Sequence, residues 1–426
     1  CIGTMLFTSI YGIVDGLCVS NFVGKTAFAA VNLIMPLPML LGTIGFMLGT
    51  GGSAIVGITL GEGDQKKADR YFTLFLLAAL ISVSVLAVLG IVFLRPIAVL
   101  LGAKGELLDY AVRYGRILMV SLPTFALQNM FQSFFVTAEK PHLGFWFTVG
   151  AGCTNMVLDV LMVGIWGWGV EGAAIATFIS QLVGGVLPVF YFIDRSNSSR
   201  LHLCKTSFYS KVLRDACING SSELMTNLSM SLVNILYNYQ LLRLAGENGV
   251  AAYGVIMYAA FLFVAVFVGY AVGSAPIVSF HYGARNHAEV HNLYRKSLRL
   301  IAVVAVTLTL ASMFIIPCVA RIFVGYDAEL LALTSRAFRL YALSFLIMGF
   351  NVYASSFFTA LGDGVTSALI SFLRTLAFQV IAILLLPLLL GIDGIWLAVT
   401  AAELAALVVS AAMLLTKDKV FHYRKA

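Results

Sequence analysis

The chain has 426 residues, of which 60% are hydrophobic and only 11% charged; its mean hydropathy is +0.96 and its formal net charge +7. These values exclude a water-soluble globular domain, in which about a quarter of the residues carry charge. Apolar stretches of about 20 residues match the roughly 30 Å hydrocarbon core of a bilayer, and the short alternating segments of a membrane β-barrel are absent.

In chain order the apolar stretches predict an all-α integral membrane protein of about twelve transmembrane helices, at 1–20, 28–59, 71–94, 110–136, 143–163, 171–193, 214–242, 248–280, 297–319, 331–359, 365–390 and 394–415. Seventeen Lys and Arg fall in connections on one side and nine on the other, with Arg374 left inside a span. Positive charge collects on the cytoplasmic side, so both termini are expected there. The net charge is then a topology signal and does not call for nucleic acid. Six scattered cysteines lack metal or disulfide spacing and read as free thiols. His281, His287 and His291 lie in a cationic connection without a metal motif, and Gly49 to Gly52 lack a P-loop lysine.

The second half repeats the first. Gly51 and Gly61 meet Gly273 and Gly283 at 273−51 = 222; Arg116 and Ser121 meet Arg339 and Ser344 at 339−116 = 223; Gly169 and Gly172 meet Gly391 and Gly394 at 222 again. Cys1 then aligns with Glu223, well inside the seventh span, so the natural chain is expected to begin about ten residues before Cys1. An even number of spans per repeat makes the two copies parallel, giving two six-helix lobes, 1–193 and 214–426, joined by a polar cytoplasmic linker at 194–213.

Four of the twenty acids fall inside spans: Asp15, Asp159, Glu223 and Glu403. A charge in hydrocarbon costs a few kcal/mol or more and marks a functional candidate. Asp15, Asp159 and Thr177 each lie about seven residues, roughly 10 Å, from the outer surface, and Asn155 is one turn from Asp159. Two carboxylates, an amide and a hydroxyl at one depth could carry a proton or hold Na⁺; the alternative is a packing network that turns nothing over. At the repeat offset Asp15 becomes Tyr237 and Asp159 becomes Ile381, so ion coupling should be asymmetric. Arg374 needs a buried acidic partner, and Glu223 and Glu403 are the candidates; structural glue is their expected role.

The segments Asn155 to Asp159 and Gly169 to Gln181 resemble the fifth and sixth helices of the multidrug and toxic compound extrusion (MATE) family. Ile13 to Gly16 with Gly24, Ala29 and Ala30, Gly246 to Gly254, and Phe358 to Asp363 extend the resemblance over nearly the whole chain. It implies a secondary antiporter of the MOP flippase superfamily that exports organic cations or drug-like amphipathic compounds as H⁺ or Na⁺ enters by alternating access, with no cofactor and no enzyme activity. Asp15, Asn155, Asp159 and Thr177 inherit the cation or proton site. The expected partners are lipophilic cations, the expected state a monomer, and the expected location a bacterial cytoplasmic membrane. Tyr11, Gln128, Gln132, Tyr237, Asn238, Tyr258 and Asn351 are the expected substrate-cavity residues, each equally readable as helix packing; aromatic faces there would favour lipophilic cations. A lipid-linked flippase of the same superfamily is the main alternative, and would require a cluster of cavity-facing Arg. A membrane enzyme would need a nucleophile, metal or cofactor motif, and a channel fits two repeated lobes poorly.

Overall fold

The structure, a computed structural model, describes residues 1–8, 30, 31, 33–324 and 327–423. The described residues are helical apart from short connections, and the chain packs as two compact units, Gly3–Gly220 and Ser221–Ala426.

The first unit contains helices Pro36–Gly61, Gln65–Leu100, Glu106–Thr137, Pro141–Asp159, Gly169–Gly185 and Leu187–Ile193. Pro36 and Pro141 stand in the first turn of their helices, where the missing N–H would have had no partner. Asp64 caps the next helix by accepting the Lys67 N–H at 3.0 Å. Lipid supplies no hydrophobic drive between helices, so close packing must hold them together. A ring cluster does this between Phe72, Phe131, Phe134, Phe135 and Phe192, with Phe72 and Phe134 centred 4.8 Å apart and Phe131 stacked on Phe192 at 5.6 Å. At Gly45 the backbones themselves touch: a Cβ there would lie 2.3 Å from the Ala126 carbonyl oxygen.

The segment after Ile193 lies along this unit. Leu203 N–H donates to the Phe192 carbonyl at 2.8 Å, His202 N–H to Asp69 at 3.0 Å and Cys204 N–H to Thr73 at 3.1 Å. Helix Ser210–Asn219 then packs on Pro36–Gly61 and ends at Gly220. The span expected at 214–242 is therefore broken near its start, where Gly220 is pressed against the Met47 carbonyl too closely for any side chain.

The second unit contains Ser221–Gly283, bent at Gly246, then His287–Val324, Ala328–Ala342, Phe345–Ala360, Gly364–Phe372, Phe378–Leu390 and Ile392–Thr416. Gly246 adopts φ 60°, ψ −150°, which only glycine reaches without strain. Ala328–Ala342 and Phe345–Ala360 meet at 46°. The core gathers Tyr237, Tyr253, Phe338, Tyr341, Phe345, Ile383 and Trp396, whereas Phe314, Leu388 and Leu389 are about 80% exposed, as suits a surface facing lipid.

Among the described residues eight helices are long and apolar enough to cross a membrane, nine if the bent pair is one span. Of the other expected spans, 1–20 lies mostly outside the described residues. The helices covering 110–136 and 214–242 are present but less apolar, because they carry Gln128, Asn129 and Gln132, and Thr226, Asn227 and Asn234.

Candidate functional site

In the first unit the site grows from the fifth expected span. Asn155 and Asp159, one turn apart on Pro141–Asp159, are 2% and 0% exposed. Directly after Asp159 the α-helical ladder widens into a π-helix, Val160–Ile165, a distortion that often accompanies function because it re-aims side chains. Helix Gly169–Gly185 packs alongside and carries Thr177, whose hydroxyl donates to its own Ala173 carbonyl at 3.0 Å and keeps its lone pairs available. Thr177, Gln181 and Ser121 line a cavity of ≈ 50 Å³ that is otherwise apolar, with Leu118, Leu122, Phe125 and Met39 in its wall. Asn155 Nδ2 and Gln181 Oε1 are buried without a hydrogen-bond partner among the described residues. Asp159, Asn155 and Thr177 could supply oxygens to a proton or Na⁺. Asp15 and Tyr11 lie outside the described residues. Gln128 is buried with its amide against Gly184, and Gln132 is half-buried.

The second unit holds a larger cavity, ≈ 120 Å³, walled by Tyr237, Tyr253, Tyr341, Asn234, Gln379 and several methionines, with Arg374 and Glu403 on its surface. Arg374 sits in a second π-helix, Leu373–Ala377, and both it and its neighbour Thr375 reach the cavity. Its Nη1 donates to Glu403 Oε1 at 3.2 Å. Asn351 Nδ2 donates to Glu403 Oε2 at 2.7 Å and to the Glu403 carbonyl at 2.8 Å. Glu223 is half-buried and makes no ion pair among the described residues. Tyr237 stacks on Tyr253 at 4.9 Å; the Tyr237 hydroxyl donates to the Ile395 carbonyl at 3.2 Å and the Tyr253 hydroxyl to Asn234 Oδ1 at 2.7 Å.

The structure thus brings together Asn155 and Asp159 in one unit, and Asn351, Arg374 and Glu403 in the other. Asn351 is fully buried against Glu403 and takes no part in the cavity wall, while Asn238 and Tyr258 are exposed on the surface of the second unit. Asn234, Tyr253, Tyr341 and Gln379 were not among the expected cavity residues. Asn234 and Gln379 could have been found as amides inside apolar spans; the tyrosines are indistinguishable from core aromatics in sequence.

The MatE family model matches residues 1–161 and again 224–385, more than half of the chain, in two segments that start 224−1 = 223 residues apart. The chain belongs to the MATE family. It is a MATE-family transporter, helical and membrane-spanning. It is 21% identical over 425 residues to the multidrug export protein MepA of Staphylococcus saprophyticus, covering 98% of this chain and 92% of that protein. The MepA of Staphylococcus aureus strain MSSA476 is likewise 21% identical over 421 residues, with 98% and 92% covered. A crystal structure of a MATE in complex with MaL6 superposes with a TM-score of 0.94 at 23% identity, over 99% of this chain and 94% of that one. An outward-facing multidrug resistance MATE transporter of the MOP superfamily gives 0.93 at 23%, with the same coverage. At such identities the structural likeness speaks for the MATE fold alone.

Proposed function

We propose that this MATE transporter is a secondary antiporter that exports drug-like amphipathic compounds, lipophilic cations among them, in exchange for H⁺ or Na⁺. The observation that carries the reading is Asp159: a carboxylate fully buried in a bilayer-spanning helix, with Asn155 one turn away and a π-helix beginning at its next residue. A buried acid on a membrane span is retained where it binds an ion in turn. The multidrug export named for the MepA relatives supports the substrate class. Asp15, Asn155, Asp159 and Thr177 are the proposed coupling site, and the lobes 1–193 and 214–426 the two bodies that rock about the linker 194–213. A ligand shifts such an equilibrium only through differential affinity, so the ion must bind one lobe arrangement more tightly than the other. The proposed location is a bacterial cytoplasmic membrane, with both termini inside and the protein acting as a monomer.

Proteoliposomes loaded with a fluorescent organic cation test this. An imposed H⁺ or Na⁺ gradient should drive its movement, and Asp159→Asn should abolish the gradient-driven component while leaving membrane insertion intact, since the change removes a charge from a span. Gradient-driven transport at the wild-type rate in Asp159→Asn would remove the residue from the mechanism. The flippase alternative needs several cavity-facing Arg, and among the described residues the cavity of the second unit presents one, Arg374.

A further inference from the structure

Within the second unit's cavity the hydrogen-bonding groups are unevenly used. A guanidinium has five N–H donors. Arg374 spends one of them, on Glu403 Oε1 at 3.2 Å, and its Nε is buried without an acceptor among the described residues. Glu403 has both oxygens engaged, Oε1 by Arg374 and Oε2 by Asn351 at 2.7 Å. Each Glu403 oxygen keeps a second lone pair, but four of the five Arg374 N–H groups donate to nothing among the described residues, so the donor is the less satisfied partner. A bound molecule can therefore improve matters here chiefly by bringing an acceptor, best a negatively charged one, because charge-assisted hydrogen bonds to a guanidinium are short and about twice as strong as neutral ones.

The walls suit an aromatic body. Tyr237 and Tyr253 lie against each other, 4.9 Å apart and 8° from parallel, and both hydroxyls already donate within the protein, so their remaining ring surface and the side chains of Met230, Met257 and Met348 offer apolar contact. Each ring spends one face on the other, which weakens the case for a cation held on aromatic faces. Glu223, the other acid of this neighbourhood, is not in the cavity wall; it interacts with Arg374 through charge at a distance, and the close ion pair is the one with Glu403.

The internal repeat argues against a purely structural ion pair. Glu403 falls at the position of Gln181 (403−181 = 222) and Arg374 at that of Gly152 (374−152 = 222). The first unit packs the same helices with an amide and a glycine, and among the described residues its own cavity has no ionisable group in its wall. Packing this kind of six-helix unit does not require the pair.

We propose that the cavity of the second unit is a recognition site for planar organic carboxylates carried on an aromatic body, with Arg374 as the binding residue, Glu403 as the intramolecular anion the ligand displaces or shares, and Asn351 as the group positioning Glu403. The proposal deepens the export reading by naming a substrate class, but binding to this site is measurable whether or not transport occurs.

The test is equilibrium binding of three shape-matched probes to the full chain in neutral detergent: 2-naphthoate, its methyl ester, and (2-naphthyl)trimethylammonium. The wild type should bind 2-naphthoate at least tenfold more tightly than the cation. Arg374→Gln should lose that tenfold while leaving the ester unchanged, and Glu403→Gln should bind 2-naphthoate about tenfold more tightly because the competing carboxylate is gone. A merely structural pair would instead make both single variants weaker. Should Glu403→Gln fail to fold, the charge-free double variant Arg374→Gln/Glu403→Gln decides: it should fold and bind the three probes alike. Equal or tighter binding of the cation by the wild type, a naphthoate preference surviving in Arg374→Gln or in the double variant, or weaker naphthoate binding by a folded Glu403→Gln would each overturn the proposal. So would displacement of 2-naphthoate by phosphatidylglycerol in nanodiscs, which would give the pocket to a lipid phosphate. Cation efflux lost in Asp159→Asn, alongside no naphthoate preference, would leave the antiport reading standing and this one fallen.

Discussion

Each polar side chain inside these spans is there at a cost, so its partners show what offsets it. Asn351 satisfies Glu403 twice, and Arg374 neutralises it; removing one member leaves the others buried without compensation. At the membrane edge the accounting differs. Asp363 caps helix Gly364–Phe372 through the Thr366 N–H at 3.2 Å and hydroxyl at 2.7 Å, and pairs with Lys417 at 2.8 Å. Burial pushes its carboxyl up, but the Lys417 and Thr366 hydrogen bonds outweigh that and hold it below the ordinary carboxylate value. A carboxyl whose folded value is depressed stabilises the fold above its unfolded value, and that contribution disappears as pH falls through the folded value. Asp363→Asn should therefore lower the apparent melting temperature in detergent at neutral pH and make little difference at a pH below the folded value. An equal loss at both pH values would show that Asp363 acts through its cap geometry rather than its charge.

Among helices, contact distance rather than buried apolar area decides stability, because lipid competes for every apolar face. Helices Pro36–Gly61 and Glu106–Thr137 meet backbone to backbone at Gly45, where the Ala126 carbonyl oxygen would stand 2.3 Å from a Cβ and cannot rotate away as a side chain could. Gly45→Val should force the pair apart and cost about 1–3 kcal/mol by overpacking. Its signature is a lowered apparent melting temperature of the detergent-solubilised protein, and an unchanged value would mean that the helices separate freely. The two π-helices belong to the same scale. Both occur in the fifth span of their unit, one immediately after Asp159 and one around Arg374. They do not fall at matching positions, since Val160 corresponds to Ala382 at the 222 offset, so each unit widens its fifth span at a place of its own, beside an ionisable residue of opposite sign.

Over the whole molecule, the repeat is visible in the backbone as well as in the sequence: Gly169 and Gly391, 222 positions apart, open the sixth spans of the two units with φ values of 60° and 58°. The distribution of Lys and Arg, seventeen to nine, gives the topology prediction. Reporter fusions at the two termini should both report the cytoplasmic side, and Cys204, in the segment that follows Ile193 along the first unit, should react with a membrane-impermeant maleimide only from that side. Labelling of Cys204 from outside intact cells would reverse the orientation.

The sequence by itself determined the membrane-spanning helical class, the two-fold internal repeat and the MATE family, because hydrophobic length, charge bias and glycine-bearing turns are local properties of the chain. It also singled out Asp159, Arg374 and Glu403, since an ionisable residue in an apolar run stands out without knowledge of its neighbours. It could not choose between Glu223 and Glu403 as the partner of Arg374, which lie on different helices; only their packing puts Glu403 at 3.2 Å. Nor could it separate Asn351, buried against Glu403, from Asn234 and Gln379, which face the cavity. Helical periodicity gives the face of a helix, but what that face meets depends on how neighbouring helices are rotated, and this is settled by contacts between residues far apart in the chain. The π-helices were illegible for the same reason: a widened turn survives only where tertiary packing supports it, and nothing in the sequence of residues 160–165 or 373–377 marks a change of helical pitch.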